Sequence, residues 1–134
     1  MEFVRGGELY THLRQARRFK EEQAKFYIMT IATALGYLHS KRILYRDIKT
    51  KNILMGEDGY VYLTDFGLSK DLTKCKTTNS ICGTPSFMAP EIVIMDEYSY
   101  SVDWWALGVL TFLLIVGYNP FYNGGNMKKM FECI

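Results

Sequence analysis

The sequence predicts a mainly α-helical fold with a small β-hairpin. Apolar residues recur at helical spacing over residues 21–41, and a second apolar stretch runs through Trp104–Val116. The turn signal Glu-Asp-Gly at 57–59 precedes a short strand pattern at 60–64, which is expected to pair with residues 53–55. We therefore expect a helical body with one hairpin and two long loops.

The composition is that of an ordinary globular domain. The chain has 134 residues, of which 49% are hydrophobic and 22% charged, and its net charge of +2 gives no reason to expect a nucleic acid or membrane partner. The cysteines Cys75, Cys82 and Cys133 form no C-x-x-C pair, which argues against a zinc ribbon or a disulfide scaffold. The N-terminus lacks signal-peptide features, and the apolar stretch is shorter than the roughly 18 residues of a membrane span. We expect a reducing, cytoplasmic or nuclear location.

The first half of the chain begins with two predicted helices. A short helix over residues 8–15 follows a pair of glycines, and the amphipathic helix over 21–41 comes next. A basic group lies in and after the first helix, and we expect it to be a solvated surface. Its members are Arg14, Arg17, Arg18 and Lys20.

The second half contains the longest predicted loop and the most apolar helix. Residues 71–80 are polar and are expected to form a loop, whereas Ala-Pro-Glu at 89–91 predicts a helix start. Ser101 is expected to cap the buried helix, with Asp103 in its first turn. A loop containing Asn-Gly-Gly at 123–125 then leads to a final helical segment.

Four polar side chains are expected to meet at the open end of the hairpin. Asp47, Lys49 and Asn52 precede its first strand, and Asp65 follows its second. An antiparallel hairpin brings these outer ends together. Carboxylate and amide oxygens suit Mg²⁺, and a carboxylate that does not bind the metal can accept a proton from a hydroxyl nucleophile. Composition alone would also allow a metal-dependent hydrolase.

Motif order and spacing narrow this choice. The pattern R-D-x-K-x-x-N at 46–52 resembles the catalytic loop of protein kinases, D-F-G at 65–67 resembles their metal-binding triplet, and A-P-E at 89–91 resembles the end of their activation segment. The stretches 82–85 and 102–110 resemble the AGC-type serine/threonine kinases. Within that group, the sequence looks most like the ribosomal S6 and stress-activated kinases.

The resemblance implies a fold and a division of the chain. It implies the C-terminal (large) lobe of the two-lobed α+β kinase fold, truncated at both ends. Residues 1–7 would form the hinge and 8–134 the large lobe, with the catalytic loop at 44–52 and the activation segment at 65–91.

The resemblance also implies the catalytic roles. Asp47 would orient the substrate Ser or Thr hydroxyl and accept its proton, and Lys49 would neutralise the transferred phosphoryl group. Asn52 and Asp65 would hold Mg²⁺. Thr84 would form a hydrogen bond near Asp47.

Other residues are implied to contact ATP. Backbone groups of Glu2 and Val4 would meet the adenine ring, and Leu54 would pack beneath it. Glu8 would contact the ribose and read an arginine upstream of the phosphoacceptor.

Three acidic residues that usually help to read such basic residues are replaced here, by Lys51, Ser86 and Leu113. We therefore expect the preference for upstream arginine to be narrowed to the position that Glu8 reads.

The same resemblance implies control by an upstream activating kinase. Ser80 occupies the phosphosite position of the activation loop, where a phosphate could pair with Arg46 and Lys70. Thr77 and Thr78 are nearby alternatives.

Three hypotheses remain for the activity. The first is ATP-dependent phosphorylation of protein Ser and Thr hydroxyls. The isolated 134-residue chain is expected to be inactive, because it contains no Gly-rich phosphate loop or strand lysine of the small lobe. The second is a truncated, non-catalytic protein that binds kinase substrates or partners. The third, a pseudokinase, is disfavoured because no catalytic residue of the large lobe is replaced. The oligomeric state stays open.

Overall fold

The computed structural model describes residues 4–134, which form a helix-rich fold with two small sheets. The elements of this part of the chain are α1 (Leu9–Ala16), α2 (Glu21–Ser40), β1 (Ile43–Leu44), β2 (Ile53–Met55), β3 (Val61–Leu63), β4 (Lys70–Asp71), α3 (Pro90–Val93), α4 (Ser101–Val116) and α5 (Met127–Cys133). Short 3-10 turns occupy Thr50–Asn52 and Pro85–Phe87.

The main core lies between α2 and α4. The apolar stripe of α2 buries Ala24, Ile31 and Leu35, and α4 contributes Leu110 and Leu114 to the same cluster. Each fully buried Leu or Ile side chain is worth about 1.5–3 kcal/mol of transfer free energy, so this stripe provides much of the stability of the fold. The predicted helix over 21–41 is confirmed.

The chain before α2 is tied to this core and to the hairpin. Leu9 and Leu13 of α1 are buried, which confirms a short helix that begins one residue later than expected. The ring of His12 lies 2.7 Å from the carbonyl oxygen of Gly6, and the amide of Met55 donates to the carbonyl oxygen of Gly7 at 2.8 Å. These bonds hold the segment before α1 against β2.

The predicted hairpin is present with a defined antiparallel register. In it, β2 pairs with β3 through Ile53 opposite Leu63, Leu54 opposite Tyr62, and Met55 opposite Val61. Because residue 53 is paired with residue 63, the chain that enters β2 and the chain that leaves β3 are neighbours. This geometry confirms the expected convergence at the open end of the hairpin.

A second two-stranded sheet was not predicted. It pairs β1 with β4, and a separate bridge joins Thr78 to Tyr98. The expectation that residues 71–80 form a loop is therefore wrong at its first residue and at Thr78. Strands of two residues carry no hydrophobic alternation, so the pattern that reveals longer strands does not exist here.

The start of α4 differs from the expected cap. Ser101 is the first helical residue, its hydroxyl donates to the Glu91 carboxylate at 2.9 Å, and the capping position is held by Tyr100 without a side-chain cap. The prediction that Ser101 caps α4 is therefore wrong. The hydroxyl instead links α4 to the first turn of α3.

The two sides of α4 differ in exposure. One side is buried, whereas Trp104, Phe112, Ile115 and Val116 keep 37–44% of their surface exposed. The helix ends at Gly117, whose φ of 95° is left-handed and therefore favours glycine. Within residues 4–134, no helix combines the length and apolar character that would be needed to cross a bilayer.

Candidate active site

The catalytic-loop segment is anchored from the core by one buried carboxylate. Asp103 is fully buried, and its oxygens accept hydrogen bonds from the backbone amides of Tyr45 and Arg46 at 2.9 and 2.8 Å. The ring of His39 lies 2.8 Å from the same carboxylate. Arg46 has a left-handed φ of 70°, which is costly for a residue with a side chain. The bonds to Asp103 therefore hold the strained backbone of Arg46, the residue directly before Asp47.

Sequence reasoning missed this role of Asp103. The pattern placed Asp103 in the first turn of a helix, where a carboxylate is favourable without any further partner. One signal was available: Asp103 lies directly before the apolar stretch Trp104–Val116, and a carboxylate among apolar residues is rarely buried unless it is paired.

Asp47 lies at the centre of a polar cluster. It is 4% exposed, and its carboxylate accepts hydrogen bonds from Lys49 at 2.6 Å, from the Asn52 side-chain amide at 2.8 Å and from the Thr84 hydroxyl at 2.9 Å. The Asn52 amide also donates to the Asp47 carbonyl oxygen at 3.0 Å. Four of the predicted catalytic residues therefore meet, with Thr84 reaching the cluster from a different loop.

The hairpin places Asp65 beside this cluster. The amide and the hydroxyl of Thr64 both donate to the Asn52 carbonyl oxygen, at 2.9 and 3.1 Å, so the next residue, Asp65, is placed next to Asn52. Asp65 has a φ of 56°, and its exposed carboxylate accepts a hydrogen bond from the amide of Gly67 at 3.1 Å. This positive φ turns the chain sharply where β3 ends.

Tyr45 connects the two segments that carry Asp47 and Asp65. It is fully buried, its hydroxyl donates to the Thr64 carbonyl oxygen, and its ring meets that of Phe66 edge-on with centroids 5.5 Å apart. Burial raises the pKa of Tyr45 well above its usual range, and the negative charge of Asp47 raises it further. The hydroxyl of Tyr45 therefore stays neutral, and its side chain supports the segments that carry Asp47 and Asp65.

The donor set suits a hard divalent cation. The nitrogen of the Asn52 side chain is engaged with Asp47, which leaves its oxygen as the ligand atom, and Asp65 contributes an exposed carboxylate. In residues 4–134, no group of three or more His, Cys, Asp or Glu side chains is arranged around a common metal position. Mg²⁺ commonly uses only one or two protein oxygens and takes the rest from water and phosphates, so the available ligands fit it.

An open cleft borders Asp65. It has a volume of about 770 Å³, and its lining includes Val4, Leu54 and Phe66. Glu8 pairs with Leu54 through its backbone at the start of α1, so the described residues predicted to contact ATP lie along one edge. The prediction for Glu2 falls outside the described residues.

Ser80 lies in a second polar cluster. Its hydroxyl accepts a hydrogen bond from the Arg46 guanidinium at 2.7 Å and lies 3.2 Å from the Thr78 hydroxyl. The Lys70 ammonium donates to Thr78 at 2.6 Å and so reaches Ser80 only through that residue. The structure therefore brings Ser80 to Arg46 directly and to Lys70 through Thr78, which is 6% exposed.

Comparison with known proteins supports the same family along the whole chain. The protein kinase domain family matches residues 1–134. The chain is 46% identical over its full length to the cAMP-dependent protein kinase catalytic subunit of Arthrobotrys oligospora, covering 25% of that protein. It is 48% identical over 92% of its length to the serine/threonine-protein kinase sgk-1 of Caenorhabditis elegans, and 45% identical over its full length to RAC-beta serine/threonine-protein kinase B of Xenopus laevis, covering 27% and 28% of them.

The chain thus spans only about a quarter of the length of these relatives. Each of them is named as a protein kinase, and the R-D-x-K-x-x-N, D-F-G and A-P-E motifs of this sequence lie inside the matched region. The chain therefore belongs to the protein kinase domain family, as an AGC-type serine/threonine kinase domain sequence.

Proposed function

We propose that the protein carrying this chain transfers the γ-phosphoryl group of ATP to Ser and Thr hydroxyls of protein substrates. The observation that carries the proposal is the set of bonds around the Asp47 carboxylate. Lys49, Asn52 and Thr84 each donate to it, so its orientation is fixed before any substrate arrives. Polar groups that are already fixed need no reorganisation during the reaction. Catalysis of phosphoryl transfer depends mostly on such positioning and electrostatic stabilisation.

Each residue of the cluster has a separate role in this proposal. Asp47 binds and orients the attacking hydroxyl and takes up its proton, while Lys49 faces the charge that develops on the phosphoryl oxygens. Thr84 and Asn52 hold Asp47 in place. Asn52 and Asp65 would hold Mg²⁺, which neutralises phosphate charge when it is bound.

The division of the chain follows the same proposal. Residues 1–7 are the hinge, residues 8–134 belong to the large lobe, and 44–52 and 65–91 are the catalytic loop and the activation segment. Val4 and Leu54 border the cleft that would take the adenine ring.

Three free cysteines in the described part of the chain support a cytoplasmic or nuclear location.

Regulation by an upstream kinase is proposed for Ser80. Its neighbour Arg46 directly precedes Asp47, so a phosphate on Ser80 would bind the residue that adjoins the catalytic carboxylate. A phosphate adds about −1.5 to −2 charges and accepts strong hydrogen bonds from a guanidinium. The bound loop would then hold Arg46 in its left-handed conformation.

We propose that the preference for an arginine upstream of the phosphoacceptor is narrower than in kinases that have an acidic residue at the position of Lys51. Glu8 is the residue that would read an upstream arginine, whereas the ammonium of Lys51 lies over the ring of Tyr10, 5.4 Å from its centroid. A cation at this position disfavours a basic substrate side chain nearby.

The test places this chain inside a complete kinase domain. We expect a chimera in which residues 8–134 replace the matching segment of a cAMP-dependent protein kinase to phosphorylate a Ser peptide from labelled ATP. Asp47→Asn should lower the rate at least 100-fold, because the proton acceptor is lost. Glu132→Gln is a control, since its exposed carboxylate lies on α5 and does not line the cleft. A folded chimera without transfer, or with transfer independent of Asp47, contradicts the proposal.

A second candidate is a non-catalytic role for the 134-residue chain by itself. It is favoured by one observation, that these residues contain no Gly-rich phosphate loop and no strand lysine. In that case the isolated chain transfers no phosphate but still binds a kinase substrate peptide. Transfer by the isolated chain that Asp47→Asn abolishes would exclude this candidate.

A further inference from the structure

We propose that Thr77 is a phosphorylation site whose phosphate releases the loop that carries Ser80, residues 72–81. The sequence offers Thr77 only as an alternative position for an activating phosphate, but its surroundings indicate the opposite effect. Thr77 is exposed, and its hydroxyl donates a hydrogen bond to the Glu97 carboxylate at 2.9 Å. The release of the loop does not depend on the proposed phosphoryl transfer. Only its consequence for Asp47 rests on that function.

An isolated antiparallel bridge holds this loop against the segment before α4. The amide of Thr78 donates to the Tyr98 carbonyl oxygen at 3.0 Å, and the amide of Tyr98 donates to the Thr78 carbonyl oxygen at 2.8 Å. Thr77 and Glu97 each directly precede a bridged residue, so they are diagonal neighbours on one face of the pair. The hydroxyl of Tyr98 donates to the Ser80 carbonyl oxygen. The bridge therefore also positions Ser80, and an added charge beside it acts on both.

Thr77 has the sequence context that a kinase selective for basic residues can read. Lys76 directly precedes it, Lys74 lies three residues upstream, and both are exposed. Within residues 4–134 neither lysine has a carboxylate within 4 Å, so both are available to acidic groups of a kinase. Of the other threonines in the loop, Thr78 is only 6% exposed, and Thr73 has no cation at the two positions before it. Exposure and charge together therefore select Thr77.

The modification is a phosphoryl transfer from ATP that a second kinase catalyses. The hydroxyl oxygen of Thr77 forms a bond to the γ-phosphorus, the bond from that phosphorus to the β,γ-bridging oxygen breaks, and ADP leaves. The hydroxyl proton passes to the catalytic base of the second kinase. The product has lost the hydrogen-bond donor that faced Glu97, and it carries about −1.5 to −2 charges in its place.

The direction of the effect follows from where the neighbouring charges lie. Outside the loop, the phosphate meets the carboxylate of Glu97, and Asp96 is the next residue along that segment. Like charges on neighbouring strands repel, so the bridge loses stability. The two lysines attract the phosphate, but they belong to the same loop and leave with it. A phosphate on Ser80 differs because the cation that it meets, Arg46, lies outside the loop.

Phosphates at the two positions therefore act in opposite directions. A phosphate on Ser80 ties the loop to Arg46, whereas one on Thr77 opens the bridge and separates Ser80 from the Tyr98 hydroxyl. Under the proposed function, phosphorylation of Thr77 lowers the rate of phosphoryl transfer, because Arg46 directly precedes Asp47.

The first test measures the release of the loop without measuring catalysis. Thr77 is replaced by phosphothreonine in the 134-residue chain, and amide hydrogen exchange is followed at Thr78 and Tyr98. We expect exchange at both amides to accelerate about fivefold or more, because the bridge that protects them opens. The Tyr98 amide is decisive, since it is distant in sequence from the added phosphate. The matched control, phosphothreonine in place of Thr73, adds the same charge to the same loop and should change exchange less than about twofold.

Glu97→Gln separates charge repulsion from other effects of the phosphate. Its amide oxygen still accepts a hydrogen bond from the Thr77 hydroxyl, so the unphosphorylated variant should exchange within about twofold of the wild type. Phosphothreonine at position 77 should then accelerate exchange by less than about twofold, because the opposing charge is gone. No acceleration in the wild type, or equal acceleration in the wild type and in Glu97→Gln, would overturn the proposed release.

A labelling experiment tests Thr77 as the modified residue. We expect the catalytic subunit of a cAMP-dependent protein kinase to label Thr77 from ATP, as mapped by mass spectrometry of phosphopeptides. Lys74→Gln with Lys76→Gln should lower this labelling about tenfold or more, because the charges that the kinase reads are lost. The control, Lys128→Gln with Lys129→Gln, removes the same charge from α5 and should lower it less than about twofold. Phosphate only at other residues, or equal losses in the two double variants, would exclude the proposed site.

Discussion

Replacement of Asp103 should uncouple the catalytic-loop segment from the core. Asp103→Ala removes the acceptor of two backbone amides and the partner of the His39 ring. Hydrogen bonds to a charged group are worth about 1.5–3 kcal/mol each, and a buried donor left without a partner costs about 1–3 kcal/mol. The losses are not additive, so we expect a decrease of about 3–5 kcal/mol in the free energy of unfolding. Domains of this kind have about 5–15 kcal/mol in total.

Asp103→Asn separates the geometric effect from simple unfolding. The amide keeps one acceptor oxygen but presents an NH₂ group to the second donor, so we expect a loss of about 2 kcal/mol and a fold that survives. Urea unfolding followed by far-UV circular dichroism measures both variants. The control is Asp96→Asn, which changes an exposed carboxylate that accepts a hydrogen bond from the next backbone amide at 2.7 Å. This substitution should cost less than about 0.5 kcal/mol. Equal midpoints for Asp103→Asn and the wild type would refute the proposed anchoring.

Three other perturbations test separate parts of the structure. Tyr45→Phe should reduce the loss of folding stability at alkaline pH. Because the pKa of Tyr45 is raised in the folded state, its contribution to stability is complete below the unfolded pKa of about 10 and is lost as the pH rises above that value. The same loss of stability at alkaline pH in the variant and the wild type would contradict this. Gly117→Ala should cost about 2–4 kcal/mol in urea unfolding, because its Cβ meets the carbonyl oxygen of Arg17, whereas Gly124→Ala, with positive φ and nothing within 4 Å, should cost only about 1 kcal/mol. Phosphorylation of Ser80 should slow tryptic cleavage of residues 73–79 severalfold, because the phosphate binds a guanidinium that already lies 2.7 Å from the hydroxyl; equal cleavage rates would exclude this ordering.

The parts of the fold that follow from periodicity could be predicted from the sequence. The helix over 21–41 was found because many residues repeat its apolar spacing, and the hairpin was found because the turn signal at 57–59 stands next to a short strand pattern. The pairing of β1 with β4 was missed because two residues on each side carry no period, and because the partners are far apart in sequence. Such short contacts depend on the rest of the fold, which brings distant segments together.

The candidate site divides in the same way. Local spacing and the hairpin placed Asp47, Asn52 and Asp65 near one another, and the motif resemblance added Thr84. Asp103 lies 57 and 58 residues away in sequence from the backbone amides that it binds, so this contact could not be derived from local spacing. The expected cap at Ser101 failed for a related reason, since Glu91 competes for the hydroxyl from outside the helix.

Backbone strain links the catalytic cluster to the Ser80 cluster. The left-handed Arg46 is held on one side by its amide bond to Asp103, and its guanidinium is held by the Leu68 carbonyl oxygen at 2.6 Å and by Ser80. A change at Ser80 therefore acts on a residue whose conformation is already costly, and which is bonded directly to Asp47. The core fixes the main chain of this residue, and the segment that carries Leu68 and Ser80 fixes its side chain, so the orientation of the Asp47 carboxylate depends on both. Loss of either contact should move Asp47 more than loss of one exposed ion pair elsewhere, because such pairs constrain no strained backbone.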